Sequence, residues 1–186
     1  MKRFLFSILL CGLLTCITVD ANAQKSKSFF YDGIELHNVK GWNIMPAKDA
    51  TTTVITGYRL PLQLNITKVA VSPEQGVSQS RSLEIYLEKF VNQTVENIMS
   101  GSSKITVKEV SPIMDGYVNT TPAKYVDITY NKNVAQRIYA MLLHNSLFTV
   151  VCTGVGKSHD KMIDGSFGKI LSSFTYIPES SSHRLF

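Results

Sequence analysis

Val151-Cys152-Thr153-Gly154-Val155-Gly156-Lys157-Ser158 brings a thiol, two glycines and a Gly-Lys-Ser ending together in one run. A phosphate-binding loop ends in the same way, after a strand and ahead of a helix, because successive backbone N–H groups and a lysine then surround the phosphates. That loop needs glycine five positions before Gly156, and Val151 stands there with its branched Cβ. The run therefore reads as a strand-to-helix turn eased by glycine, and nucleotide binding is not expected. Cys152 as a nucleophile would need exposure and an activating histidine. Inside an apolar strand beside Val150 and Val151, it reads as a small core residue.

The other reactive residue types are scattered. His37, His144, His159 and His183 show no metal-ligand spacing, and His159-Asp160 reads as a helix cap. Asp32 and Glu35 are close in sequence without forming a recognisable acid–base pair. No Gly-x-Ser-x-Gly elbow occurs. Asn65, Asn92 and Asn119 each open an Asn-x-Thr triplet, read as incidental surface threonines. No catalytic, cofactor-binding or metal-binding set is expected. A hydrolase would have to gather dispersed Asp, His and Ser residues into one pocket.

The N-terminus carries a targeting signal. Lys2 and Arg3 precede a mostly apolar run from Phe4 to Val19, and Ala21-Asn22-Ala23 supplies a small-x-small cleavage pattern before Gln24. Residues 1–23 are thus expected to be a cleaved secretory signal peptide, with the cut between Ala23 and Gln24. The apolar run is shorter than the roughly 20 residues of a spanning helix, so no transmembrane segment is expected in the mature chain. Cys16 invites a lipoprotein reading, with the chain anchored through an acylated cysteine. Thr15 stands before it where a small residue is usual, and cleavage after Ala23 is favoured. The expected location is periplasmic or secreted, where nucleotides are not maintained.

Cleavage removes Lys2, Arg3 and Asp20, so the formal charge of +5 falls by one unit. That mild, scattered basicity gives no case for nucleic acid. Cys11 and Cys16 leave with the leader, Cys152 remains alone, and an internal disulfide is excluded. Stability must come from a core, and the chain beyond the leader has the size of one domain. Its expected limits are 24–28 as a polar lead-in, 29–177 as the domain and 178–186 as a flexible tail.

The elements emerge from periodicity. Phe29 to Leu36 reads as a strand punctuated by Asp32-Gly33, and Lys40-Gly41-Trp42 as a turn returning Trp42 to the core. Thr51 to Tyr58 is β-branched. Leu62, Leu64 and Ile66 then alternate with polar neighbours, and a phase change near Lys68 suggests a bulge. The spacing of Leu83, Tyr86, Leu87, Phe90, Val91, Thr94 and Ile98 predicts a helix with Ser82 as N-cap, Glu84 in its first turn and Ser100-Gly101 as its stop.

Four strand segments come next. Ile105 and Val107 alternate ahead of a turn at Asp115-Gly116. Val126, Ile128 and Tyr130 share one strand face, and Asn131-Lys132-Asn133 forms a hairpin tip. Ile138 to Leu143 is apolar on both faces, like a central strand. His144-Asn145-Ser146 leads into Leu147 to Thr153. A last helix is predicted from about Ser158 to Pro178, with Ile163, Phe167, Ile170, Leu171 and Phe174 as its stripe and Gly165 and Gly168 letting it sit close to the sheet. Trp42, Leu83, Leu87, Phe90, Val126, Ile128, Cys152, Phe167, Ile170 and Phe174 are the expected core. Strands, helix, strands and helix in this order predict an α+β domain on a mostly antiparallel sheet.

Gly41-Trp42 after the first strand, the helix opening Ser82-Leu83-Glu84-Ile85-Tyr86, the strand Ala123-Lys124-Tyr125-Val126-Asp127 and the closing Phe167-x-x-Ile170-x-x-Ser173-Phe174 resemble the PsbP-like superfamily. That group includes lumenal PsbP proteins, DcrB-like envelope proteins and a Ran-binding import factor. The chain departs from the family pattern ahead of Trp42, where Val39-Lys40 replaces the usual proline. The resemblance implies an α/β/α sandwich around a central antiparallel sheet, and accessory or binding roles without a shared catalytic set. The expected function is that of a non-catalytic exported protein serving an envelope complex by binding a protein partner, with no cofactor. The alternatives are a carrier of a small apolar or amphipathic ligand, and a hydrolase.

Overall fold

A computed structural model of the chain describes residues 28–37, 39, 42–46, 52–57, 62–71, 78–101, 104–156 and 158–178. The expected leader, with Cys11, Cys16, Ala23 and Gln24, lies outside them, as do Lys40, Gly41, Lys157 and His183.

The stretch expected as one strand is a hairpin, β1 (Ser28–Tyr31) and β2 (Ile34–His37). It folds at Asp32-Gly33, whose φ angles of 50° and 76° are both positive. Two such residues give the turn whose twist matches an antiparallel pair, and Asp-Gly tolerates it. Gly33 is also needed for space, since a Cβ there would run into the Ile177 carbonyl oxygen.

β3 (Trp42–Pro46), β4 (Thr52–Gly57) and β5 (Leu62–Ala70) lead to a helix, α1 (Gln79–Ser100). Then come β6 (Val107–Val110), β7 (Met114–Val118), β8 (Thr121–Tyr130), β9 (Val134–Leu143) and β10 (Ser146–Val155). These strands form an antiparallel sheet ordered β3-β4-β5-β10-β9-β8-β6, with β7 also paired to β8. A wide π-helical segment, Lys161–Phe167, runs into the short helix α2 (Gly168–Leu171). β11 (Thr175–Tyr176) then joins the hairpin in a small sheet ordered β1-β2-β11. The architecture is α+β: a central antiparallel sheet with α1 on one face, and the last helical segment with the small sheet on the other.

Local expectations are corrected at four places. β5 carries no bulge, because it pairs with β10 in unbroken register from Leu62 opposite Gly154 to Ala70 opposite Ser146. The phase change is one of cover: Leu64 and Ile66 are buried on the α2 face, Val71 packs on the α1 side, and Val69 stays 48% exposed. The N-cap of α1 is Ser78, whose hydroxyl accepts the Arg81 N–H at 3.3 Å; Ser82 already lies inside the helix. Asp115-Gly116 is no turn but the middle of β7, and the chain reverses at Asn119-Thr120. Glycine is needed at 116 because a Cβ would lie 2.8 Å from Cδ1 of Tyr125.

The fourth correction concerns the C-terminal helix. It ends at Leu171, well before Pro178, and Phe174 is buried just beyond it. The wide turn adds residues per turn, so Met162 faces the core as well as Ile163 and Phe167. Gly165 faces open space, and a Cβ at Gly168 would meet the segment's own Ile163 carbonyl oxygen at 2.9 Å. The close approach to the sheet occurs at Gly154, where a Cβ would lie 2.8 Å from the Met162 sulfur.

Strand alternation divides the core between the two faces of the sheet. Leu83, Leu87, Val126 and Ile128 are buried between α1 and the sheet. Cys152, Phe167, Ile170 and Phe174 are buried on the opposite face. Trp42 and Phe90 reach only the margins and are half-buried. Trp42 belongs to the edge strand β3 and packs its ring 5.5 Å from that of Phe167; Phe90 sits 5.9 Å from Tyr86 on the flank of α1.

Candidate functional site

Three polar groupings are built from these elements, two of them closed and one open. The first lies under the last helical segment. Asp127 on β8 stands directly opposite Arg137 on β9, which in turn stands opposite Cys152 on β10. Arg137 donates from Nε to Oδ1 of Asp127 at 2.6 Å and from Nη2 to Oδ2 at 2.7 Å, a bidentate pair. Nη2 also reaches the exposed Asp160 at 3.1 Å. The guanidinium lies 4.5 Å from the Tyr125 ring, which packs on Tyr139.

Burial works to lower the Arg137 pKa, but hydrogen bonds with Asp127 and Tyr139 leave it above the ordinary arginine range. Burial pushes the Tyr139 hydroxyl up to about 12 and the Cys152 thiol higher still. At neutral pH the guanidinium is therefore charged, while the phenol and the thiol are neutral. A buried neutral thiol is a poor nucleophile, and both carboxylate oxygens are occupied by the guanidinium. This cluster holds strands together.

The second grouping lies under α1 and along its N-terminal flank. Tyr130 Oη donates to Gln136 Oε1 at 2.8 Å, and Gln136 Nε2 donates to Thr153 Oγ1 at 3.0 Å. The Tyr86 and Thr149 hydroxyls lie 2.6 Å apart, tying α1 to β10. Burial raises the pKa of both tyrosines and keeps them protonated. Nearer solvent, Lys124 bridges Glu84 at 2.9 Å and Asp115 at 2.8 Å, and Arg81 meets Glu84 at 3.1 Å. Hydrogen bonds from Lys124 and then Arg81 hold the Glu84 carboxyl below its ordinary pKa, and those to Asp115 and Glu84 raise Lys124.

The third grouping is the open one, on the outer face of the small sheet. Counted outward from the two-residue turn, Ser28 falls opposite His37. The Ser28 Oγ lies 2.8 Å from His37 Nδ1, and His37 Nε2 lies 3.4 Å from Glu35 Oε1. Thr175 donates to the other Glu35 oxygen at 3.4 Å, so the relay crosses all three strands. His37 and Ser28 are exposed. Phe30, on the same face and 65% exposed, pairs with Glu35 in register.

The remaining sequence candidates serve the fold. Gly156 turns at a φ of 76°, and its N–H donates to the Asn133 carbonyl at 2.8 Å, so this amide serves the β8–β9 hairpin. His159 does not cap the last helix; its Nε2 sits 3.1 Å from the Ile128 carbonyl oxygen on β8. His144 lies in the β9–β10 turn with its ring 6.2 Å from that of Tyr176. Among the described residues no group of three His, Cys, Asp or Glu side chains lies close enough to hold a metal. Thr94 of the Asn92 triplet is buried, its hydroxyl on the Phe90 carbonyl, and so is Asn65.

Sequence reasoning missed Arg137 and the Ser28–His37 pair. The signal for the first was Gln136-Arg137 inside an otherwise apolar central strand, which demands a partner on a neighbouring strand. For the second it was Asp-Gly read as a two-residue turn, which sets the register by counting.

The sequence matches no family model and no curated protein. Its fold is similar to the solution structure of cyanobacterial PsbP (CyanoP) from Synechocystis sp. PCC 6803, with a TM-score of 0.56 and 12% identity, over 86% of this chain and 99% of that one. It is also similar to a 1.50 Å crystal structure from Bacteroides thetaiotaomicron VPI-5482, with a TM-score of 0.51 and 10% identity. That likeness covers 84% of this chain and half of the other. The chain has a PsbP-like fold, and at such identities the likeness speaks for fold alone.

Proposed function

We propose that this chain is an exported accessory protein that acts by binding a protein partner in the cell envelope, without turning over a substrate. On this reading residues 1–23 are removed after Ala23, the mature chain starts at Gln24 with a short lead-in, and 29–177 work as one domain ahead of a tail. The PsbP-like fold supports it, as does the absence of any helix long and apolar enough to cross a membrane among the described residues. The observation that carries it is the closure of the buried chemistry. Asp127 is engaged at both carboxylate oxygens by Arg137, and burial keeps the Tyr139 phenol and the Cys152 thiol protonated, so this cluster offers no activated nucleophile.

Affinity capture of the tagged chain from envelope extract, after chemical cross-linking, should recover one partner in near-stoichiometric amount and not with an unrelated exported control. N-terminal sequencing of the exported form should begin at Gln24. Repeated turnover of a substrate by the purified chain, with no partner recovered, would overturn the proposal.

A further inference from the structure

Ser28, His37 and Glu35 line the outer face of the small sheet, away from the buried clusters, and their order is that of a nucleophile, a base and a group that orients the base. Ser28 and His37 are exposed and Glu35 is half-buried. With the His37 proton on Nε2, that N–H faces Glu35, and Nδ1 is left to accept the Ser28 hydroxyl proton at 2.8 Å. The pleat enforces the arrangement: Ser28 and His37 are cross-strand partners, and Glu35 and His37 stand two residues apart on one face. Thr175 fixes the second Glu35 oxygen, and the His37 N–H donates to Ser173 Oγ at 2.9 Å, which holds the backbone at this position.

We propose that Ser28 is an acyl-accepting nucleophile, activated by His37 and Glu35, that takes an acyl group from activated esters of short apolar acids. The Ser28 Oγ bonds to the ester carbonyl carbon as its proton passes to His37 Nδ1. The carbon–oxygen bond to the leaving group breaks, and the departing oxygen takes that proton from His37, leaving an ester on Ser28 and a neutral base. Phe30, on the same strand and face, offers the apolar surface against which a short acyl chain rests. The reaction needs one event per chain, so it stands apart from the binding role, and failure of either leaves the other standing.

The full chain is treated with p-nitrophenyl acetate, nitrophenol release is tracked, and the acetylated residue is located by peptide mass spectrometry. The expected result is a stoichiometric phase with acetyl on Ser28. Its rate falls at least about ten-fold in Ser28→Ala and His37→Gln, in line with the contribution of a positioned base. Glu35→Gln lowers it less, because its contact is the longer one. His144→Gln, at an exposed histidine outside the relay, leaves the rate unchanged. None of these positions belongs to the core, and circular dichroism checks that the variants fold. Acetyl found only on lysines, or a rate indifferent to Ser28→Ala and His37→Gln, would overturn the proposal.

Discussion

Under α1 the buried polarity of the sheet is neutral, passing from Tyr130 to Gln136 to Thr153, whereas on the opposite face it is an ion pair, Arg137 with Asp127. The two groups occupy the same strands and differ only in which way the pleat points them. The covers differ too. α1 is one continuous helix placed between β5 and β6. The opposite cover is assembled from Phe29 to Val39 and from Met162 to Phe174, the two ends of the described chain. Beneath α1 the neutral residues satisfy one another, and charge is confined to its N-terminal flank, where Glu84 meets Lys124 and Arg81. A cover joined from distant segments gains from fixed charges, because Asp160 reaches Arg137 from the last helical segment and Lys68 ties β5 to the β1–β2 turn through Asp32. Charge under a cover is tolerated where both partners are adjacent and fully engaged.

That contrast predicts unequal costs. Asp127→Ala strands the Arg137 guanidinium without its partner and should cost about 4 kcal/mol in urea unfolding. A loss below about 1 kcal/mol would mean that water replaces the carboxylate and that the ion-pair face is not sealed. Leu87→Ala on the opposite face opens a cavity under α1 and should cost about 3 kcal/mol by the same measurement. Gln136→Leu interrupts the neutral chain at its centre and leaves the Tyr130 and Thr153 hydroxyls unpaired, at about 2 kcal/mol. If it stabilised instead, the chain under α1 would be a cost to the fold and not a support.

Smaller effects sharpen the picture of α1 itself. Ser78→Ala should destabilise by about 1 kcal/mol and Ser82→Ala by much less, since only Ser78 caps the helix. Thermal unfolding of the two variants distinguishes them, and equal losses would return the helix start to Ser82. The last effect is acid-dependent. The folded pKa of Glu84 lies below its unfolded value, so its contribution is complete above the ordinary carboxyl pKa of about 4.3 and is lost as pH falls through the lower folded value. Glu84→Gln should therefore flatten the acid side of the stability profile, visible as a smaller fall in melting temperature between neutral and acid pH.

How much of this was legible in advance depended on the range of the interaction. The α1 stripe was readable because Leu83, Leu87, Val91 and Ile98 recur with the helix period, and the shared face of Val126, Ile128 and Tyr130 was readable because strands alternate. Asp115-Gly116 misled because Asp-Gly is a turn pair in the abstract, while here the glycine makes room for Tyr125 from a neighbouring strand. The Ser82 cap misled because a serine before an apolar stripe is a good local signal, and the helix had begun one turn earlier on polar residues that carry no periodicity. The last helix misled because its stripe ran into Phe174, which is buried after the helix has ended.

Period and composition are properties of neighbouring residues, and they were enough to establish an α+β domain on a mostly antiparallel sheet. The pairing of Arg137 with Asp127, the burial of Cys152 beside them and the meeting of Ser28 with His37 depend on strand register and on which segment covers which face. Those are agreements between residues distant along the chain, settled when the whole sheet closes and its two covers compete for the same strands.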